Sequence, residues 1–281
     1  MNIAGITAEY NPFHTGHAYQ VSALREQLGR DTAVAAVMSG NWVQQGRPAV
    51  TDKWTRTRMA LSGGVDLVLE LPTVWAASSA ESFAQGAVAL MCRSGVVDTL
   101  CFGSETGELS SLQAAADCLD SPDYPAQLRR ALEGGASFAA ARQAAAERLI
   151  GPVGTALASP NNNLGVEYLR SLRALGSAIR PVTVRREGAA HNSLGKTGEG
   201  FRSATQLRQH LARREWEAVR PYVHRESAPF TVCPPDRSRA GGASDAGLSA
   251  EDEGGGLGQA ARCRSRGGPA PAIRAGGTAV S

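Results

Sequence analysis

The chain has 281 residues, enough for one large or two modest domains with a buried core. Its 29 basic and 26 acidic side chains nearly cancel, too mild a balance to announce a nucleic-acid partner, though a local basic patch is not excluded. Cys92, Cys101, Cys118, Cys233 and Cys263 are scattered with no CxxC pair, so reduced thiols fit better than a disulfide or zinc framework. No apolar run approaches the ~20 residues needed to cross a bilayer. The N-terminus lacks the basic and apolar regions of a signal peptide. A cytoplasmic protein without a membrane partner is expected.

Residues 2–9 are a short run of small and branched side chains, suited to a strand buried on both faces. Pro12 and Gly16 punctuate the next loop, and residues 17–28 read as an amphipathic helix ending before Gly29. Residues 32–38 form a second buried strand. Thr51 is expected to cap a helix reaching about Leu61 and closing at Ser62-Gly63-Gly64. Residues 66–71, stopped by Pro72, form a third strand, 79–93 a helix, and 98–102 a fourth strand. This βαβαβαβ alternation predicts an α/β fold, a doubly wound parallel sheet of Rossmann-like type with helices on both faces.

Residues 108–150 are alanine-rich and helical, a helical insertion or subdomain. A helix over 161–175, a strand over 179–185, a loop over 188–200 and a helix over 203–212 follow. Beyond about residue 234 the chain turns to Gly, Ala, Ser, Arg and Pro, with Leu248, Leu257, Ile273 and Val280 its only large aliphatic side chains. Four such groups cannot offset the ordering entropy of this segment, so disorder is expected over 231–281. The change is abrupt, as if a folded continuation had been replaced by the composition a shifted reading frame gives.

The strongest chemical signal is Glu9-Tyr10-Asn11-Pro12-Phe13-His14-Thr15-Gly16-His17, directly after the first strand and opening a helix. In an open α/β sheet ligands bind outside the carboxyl ends of the strands. A loop feeding a helix there presents free backbone N–H groups and a favourable dipole to phosphate. Imidazoles three residues apart share one side of the first turn and can donate to one phosphate group. Gly16 lets the nucleotide approach the backbone. Together they suit the charge that builds on an α-phosphate as a nucleophile attacks and pyrophosphate leaves. Zinc is a weak reading, because no third ligand is patterned beside His14 and His17.

A second signal is Phe201-Arg202-Ser203-Ala204-Thr205-Gln206-Leu207-Arg208. Ser203 and Thr205 at a helix start, with Arg208 one turn in, can hold the β- and γ-phosphates of a triphosphate. Alone it is an ordinary capped helix.

The HxGH loop and this late helix resemble the nucleotidyltransferase superfamily of class I aminoacyl-tRNA synthetases and cofactor adenylyltransferases. Longer stretches resemble one family within it, the bacterial tRNA(Met) cytidine acetate ligases. Besides residues 8–17 these are Met38-Ser39-Gly40-Asn41-Trp42-Val43-Gln44-Gln45-Gly46-Arg47-Pro48-Ala49, Asp52-Lys53, Asp66-Leu67-Val68-Leu69-Glu70-Leu71-Pro72, Phe102-Gly103-Ser104-Glu105 and Ser159-Pro160-Asn161-Asn162-Asn163-Leu164-Gly165. The similarity runs to about residue 230 and implies a nucleotidyltransferase-like, ATP-binding catalytic domain over 1–230.

The resemblance implies acetate activation by ATP, then transfer of the acetyl group to N4 of the wobble cytidine of elongator tRNA(Met). It implies a nucleotide site from Thr7 and Ala8 through Ala18, Tyr19 and Gln20, continued by Gly103, Asn162, Arg185 and Arg186. Gly103 at the carboxyl edge suits close approach of adenosine. Asn162 can read adenine or ribose, or serve as a helix cap. Of Arg185 and Arg186, one is expected to neutralise phosphate. Asp52 can cap a helix, or with Lys53 position acetate or phosphate, while Glu9 and Glu70 suit pairing with Arg or Lys and neither is assigned as a general base. Magnesium is expected to arrive with the polyphosphate. Two departures stand out: Arg202 occupies the first of two positions where family members carry adjacent hydroxyls, and the tail stands where they continue as a helical, tRNA-binding region. A cofactor adenylyltransferase, or an ATP-binding chain that modifies no RNA, are the alternatives.

Overall fold

Seven strands run through the residues described by the computed structural model, 2–186 and 202–223. They are β1 (Ile3–Ala8), β2 (Ala33–Ser39), β3 (Trp42–Val43), β4 (Arg47–Pro48), β5 (Leu67–Leu71), β6 (Thr99–Ser104) and β7 (Arg180–Arg185). The expectations for the 188–200 loop, the 231–281 tail, Cys233 and Cys263 lie outside the described residues. Five strands form one sheet in the order β5-β2-β1-β6-β7, every neighbouring pair parallel. Covering on both faces explains why β2, Ala-Val-Ala-Ala-Val-Met-Ser, is apolar almost throughout. In β1, a Cβ on Gly5 would lie 2.6 Å from the Met91 sulfur, so glycine lets a helix pack closely there.

The helices are α1 (Thr15–Leu28), α2 (Lys53–Ser62), α3 (Thr73–Ala76), α4 (Ala80–Ser94), α5 (Leu109–Leu119), α6 (Tyr124–Glu133), α7 (Phe138–Ile150), α8 (Pro160–Ala174), α9 (Ala204–Ala212) and α10 (Trp216–Val219). Alternating strand residues send their side chains into two cores. Leu24 of α1, Met59 of α2 and Leu207 of α9 join Ile6 and Met38 in one. Phe83 of α4, Leu112 of α5 and Leu169 of α8 join Leu100 and Phe102 in the other. The insertion is α5, α6 and α7, whose Leu112, Tyr124, Ala145 and Ala146 belong to that second core rather than to one of their own. Among the described residues no helix is long and apolar enough to cross a membrane.

Three local expectations need correction. Asp52, not Thr51, caps α2, its Oδ1 accepting from the Thr55 N–H at 2.9 Å. Helix α1 starts at Thr15, two residues early, because His14 is itself the cap. Strand β6 runs on through Gly103 to Ser104. After β2 the chain forms an antiparallel ribbon, β3 against β4, closed by a 3-10 turn over Gln44–Gly46.

The strand order sets the site. From β1 the chain winds outward through β2 to β5, then crosses back to β6 on the other side of β1. Loops leaving β1 and β6 therefore diverge and open a crevice at the carboxyl edge.

Candidate active site

The β1–α1 loop is fixed by its own side chains. Tyr10 adopts a left-handed φ of 45°, a conformation costly for a bulky residue. Its ring meets those of Phe13 and His17 edge-on, at centroid distances of 4.8 and 4.9 Å. Tyr10 and Phe13 are buried in the core and anchor the loop, and of the two only Tyr10 also lines the crevice. Phe13 packs where a Cβ on Gly63, just after α2, would collide with it.

The two histidines are joined by reciprocal caps. Nδ1 of His14 accepts from the Gly16 N–H at 3.0 Å, and Nδ1 of His17 accepts from the His14 N–H at 3.2 Å. A ring whose Nδ1 accepts carries its proton on Nε2 when neutral, so each imidazole has an Nε2–H left for a ligand. The rings stack with centroids 3.8 Å apart. Burial, reinforced by Arg186 and Arg208, pushes His14 down to about 3. Burial, then His14 and Arg186, holds His17 well below the ordinary imidazole range. Both are neutral hydrogen-bond donors at physiological pH.

Helix α9 brings the late motif to this loop. Ser203 caps it in a box with Gln206, with Oγ accepting from the Gln206 N–H at 3.2 Å. Arg208 donates to the Asn11 carbonyl at 3.1 Å and to Thr205 Oγ1 at 2.8 Å, which ties α9 to the β1–α1 loop. Arg202 instead engages His210 and lies 5.0 Å over the Tyr222 ring.

The resulting crevice holds two adjoining cavities. The larger, about 1060 Å³ with its open mouth, takes in Thr7, Glu9, Gln44, Phe102, Tyr168 and Arg208. The smaller, about 480 Å³, lies toward β7 and takes in Tyr19, Val184, Arg185 and Arg202. His14, His17, Gln20, Gly103, Arg186 and Ser203 line both, so the histidines stand at the junction. Among the described residues, Glu9 is the one carboxylate on either lining.

Residues 1–233 match the family model described as HIGH Nucleotidyl Transferase. The chain belongs to this family. It is 44% identical over 227 residues to the tRNA(Met) cytidine acetate ligase of Thermoanaerobacter sp. (strain X514), covering 79% of this chain and 56% of that protein. It is 41% identical over 216 residues to the tRNA(Met) cytidine acetate ligase of Clostridium novyi (strain NT), covering 75% and 54%. The crystal structure of Thermotoga maritima TmcAL bound with alpha-thio ATP matches with a TM-score of 0.74 at 39% identity, over 82% of this chain and 55% of that one. The apo form matches with a TM-score of 0.77 over 82% and 56%. The chain thus spans about half the length of the curated relatives it matches.

Within this HIGH nucleotidyl transferase, the expected site residues divide by place. Thr7, Ala8, Glu9, Tyr10, Asn11, His14, Gly16, His17, Tyr19, Gln20, Gly103, Arg185, Arg186, Ser203, Thr205 and Arg208 line the crevice, whereas Pro12, Phe13, Thr15 and Ala18 do not. Asn162 is also off the lining: its Oδ1 accepts from the Glu105 and Thr106 N–H groups at 2.8 and 3.2 Å, fastening the loop after β6 to α8. Asn161, one residue earlier, lines the crevice. Lys53 is paired with Glu70 at 2.5 Å, and neither it nor Asp52 reaches the crevice lining. Gly103 keeps room for Arg186, whose Cγ would sit 3.2 Å from an added Cβ.

Three contributors escaped sequence reasoning. Arg56 is fully buried and donates to the carbonyls of Glu9, Ser39, Gly40 and Thr51, binding the loops after β1 and β2 together. Burial pushes its guanidinium down to about 10, against the pull of Glu9, Asp52 and Glu70. Tyr168 accepts from the Thr7 hydroxyl inside the crevice. Gln44 donates its backbone N–H to Glu9 Oε1 at 3.0 Å, while its side-chain Nε2 is buried without a hydrogen-bond partner among the described residues.

Proposed function

We propose that this chain binds ATP in the crevice, activates acetate as acetyl-adenylate, and passes the acetyl group to N4 of the wobble cytidine of elongator tRNA(Met), working in the cytoplasm. The observation that carries the reading is the pair of neutral, stacked imidazoles at the β1–β6 switch point, each with Nε2–H left for a ligand and flanked by Arg186 and Arg208. An acetate oxygen attacks the α-phosphorus, the phosphorus–oxygen bond to pyrophosphate breaks, and pyrophosphate leaves. Two fixed N–H donors then meet the oxygen on which charge builds, without reorganising. Ser203, Thr205 and Arg208 are poised for the outer phosphates, and the smaller cavity beside Arg185 and Arg186 suits the adenosine. Support comes also from the relatives' names and from the alpha-thio ATP held by the T. maritima protein.

Among the described residues no cluster of three His, Cys, Asp or Glu side chains is placed to hold a metal ion. The donors present do not fit a resident metal, so a magnesium ion would enter on the polyphosphate itself.

The test is isotope exchange between pyrophosphate and ATP in the presence of acetate, phosphopantetheine or nicotinate mononucleotide. Acetate-dependent exchange is expected. Exchange supported only by a phosphate monoester, or none with any carboxylate, sinks the reading.

A further inference from the structure

The two ends of the crevice differ in chemistry. Toward β7 it carries Arg185, Arg186 and Arg202; on the side of β1 and β2 it carries Glu9 and Gln44. These two are locked together, because the Gln44 N–H donates to Glu9 Oε1 at 3.0 Å. The Gln44 amide nitrogen is a buried donor without a hydrogen-bond partner among the described residues, a costly arrangement unless a ligand supplies an acceptor. Phe83, Phe102, Leu164 and Tyr168 wall the same cavity with apolar and aromatic surface.

We propose that Glu9 and Gln44 receive the Watson–Crick edge of the acceptor cytosine, and that Glu9 takes the proton its amino nitrogen gives up. This rests on the acetyl-transfer reading above. Cytosine presents an amino donor at N4 beside an acceptor at N3. A carboxylate accepts from N4–H and an amide nitrogen donates to N3, whereas uracil reverses both polarities. The aromatic walls suit the faces of an unstacked base. In the transfer step N4 attacks the acetyl carbonyl carbon of acetyl-adenylate. The C–N bond forms, the carbon–oxygen bond to phosphate breaks, AMP leaves with the electron pair, and the N4 proton passes to the Glu9 carboxylate.

The histidines and the phenols of the larger cavity cannot take that proton. His14 and His17 have Nδ1 committed to backbone N–H groups and Nε2 protonated. The phenols of Tyr10 and Tyr168 are raised by burial and stay neutral. Burial raises Glu9 from its ordinary carboxylate value, while the Gln44 N–H bond, Arg208 and Arg56 pull against it and Tyr168 faces it. A base must be ionised to act, so transfer rises as pH rises through the Glu9 titration.

The experiment uses the full chain with ATP, labelled acetate and an anticodon stem-loop RNA bearing cytidine or uridine at the acceptor position. It reads acetate-dependent pyrophosphate exchange and acetyl transfer to RNA separately. Glu9→Gln keeps an acceptor for N4–H but no base, so transfer should fall by about 100-fold or more, exchange by less than about 10-fold, and the acid limb of the transfer profile should vanish. Gln44→Leu should raise the KM for the cytidine RNA by about 10-fold, with a smaller change in kcat. Equal losses in both reactions, an acid limb surviving in Glu9→Gln, or an unmoved KM in Gln44→Leu overturns the assignment. Exchange without any transfer by the unaltered chain also overturns it, leaving adenylate formation standing. Absence of exchange overturns both.

Discussion

Acid should loosen this fold through the same histidines that line its crevice. The perturbation is His14→Asn, which keeps a side-chain acceptor suited to capping α1 at the Gly16 N–H but removes the titrating ring. The folded ring is held down to about 3, against 6.5 for a free imidazole. Above pH 6.5 both states are neutral and the ring makes no difference. Below it the unfolded chain binds a proton the folded chain refuses, so stability falls by about 1.4 kcal/mol per pH unit until about pH 3. His17 acts in the same direction. Glu9, whose pKa is raised on folding, acts oppositely, so the variant must be read against the parent at each pH. Urea unfolding between pH 7 and 5 should show the parent losing about 2 kcal/mol more than His14→Asn, a large share of the roughly 5–15 kcal/mol typical of a domain. Parallel stability curves would refute the assignment of a buried neutral ring, as would an imidazole titrating near 6.5 by NMR.

Other outcomes follow from the same contacts. Arg56→Met orphans four carbonyls, partly offset by relief of a buried charge; a loss of about 2–4 kcal/mol in chemical denaturation is expected, with acetyl transfer to RNA falling more than exchange because the loop that carries Glu9 loses its anchor. An unchanged midpoint would show the carbonyls satisfied without it. Gly103→Val puts branched carbon against an Arg186 chain already 3.2 Å from a single Cβ, so the KM for ATP should rise at least about 10-fold with a melting temperature close to the parent's. Arg208→Ala removes both the tie to Asn11 and a cation of the proposed outer-phosphate clamp; a fall in kcat/KM for ATP of about 100-fold is expected, and a change below threefold would place the phosphates elsewhere.

Periodicity and punctuation carried the fold. Strands buried on both faces leave apolar runs such as 33–39, and glycine or proline marks their ends, so the parallel sheet was legible before any contact was known. The HxGH loop was legible for a similar reason, since a strand end feeding a helix is a local pattern. What sequence could not announce depends on partners far along the chain. Arg56 reads as an exposed polar residue of α2, yet its carbonyl partner at Glu9 is 47 positions away. Tyr168 meets Thr7 across 161 positions. Asn161 and Asn162 both hold the loop after β6, the first by donating its Nδ2 to Glu105 Oε1 and the second by accepting from the Glu105 and Thr106 N–H groups, and of the two only Asn161 also lines the crevice.

The two reciprocal caps make loop geometry and tautomer a single property. An Nδ1 that accepts a backbone N–H orients its ring, completes the start of α1 and fixes the proton on Nε2 at once. Burial above all depresses the pKa, and protonating Nδ1 would also break the cap and place a cation beside Arg186 and Arg208. A triphosphate reverses that electrostatic sign: its charge would offset the arginines and ease protonation of the rings. Neutral donors are therefore maintained not by the ligand but against it, through burial and the backbone bonds to Nδ1. A substitution that frees either Nδ1 should consequently raise the histidine pKa most strongly in the nucleotide complex, and least in the free protein.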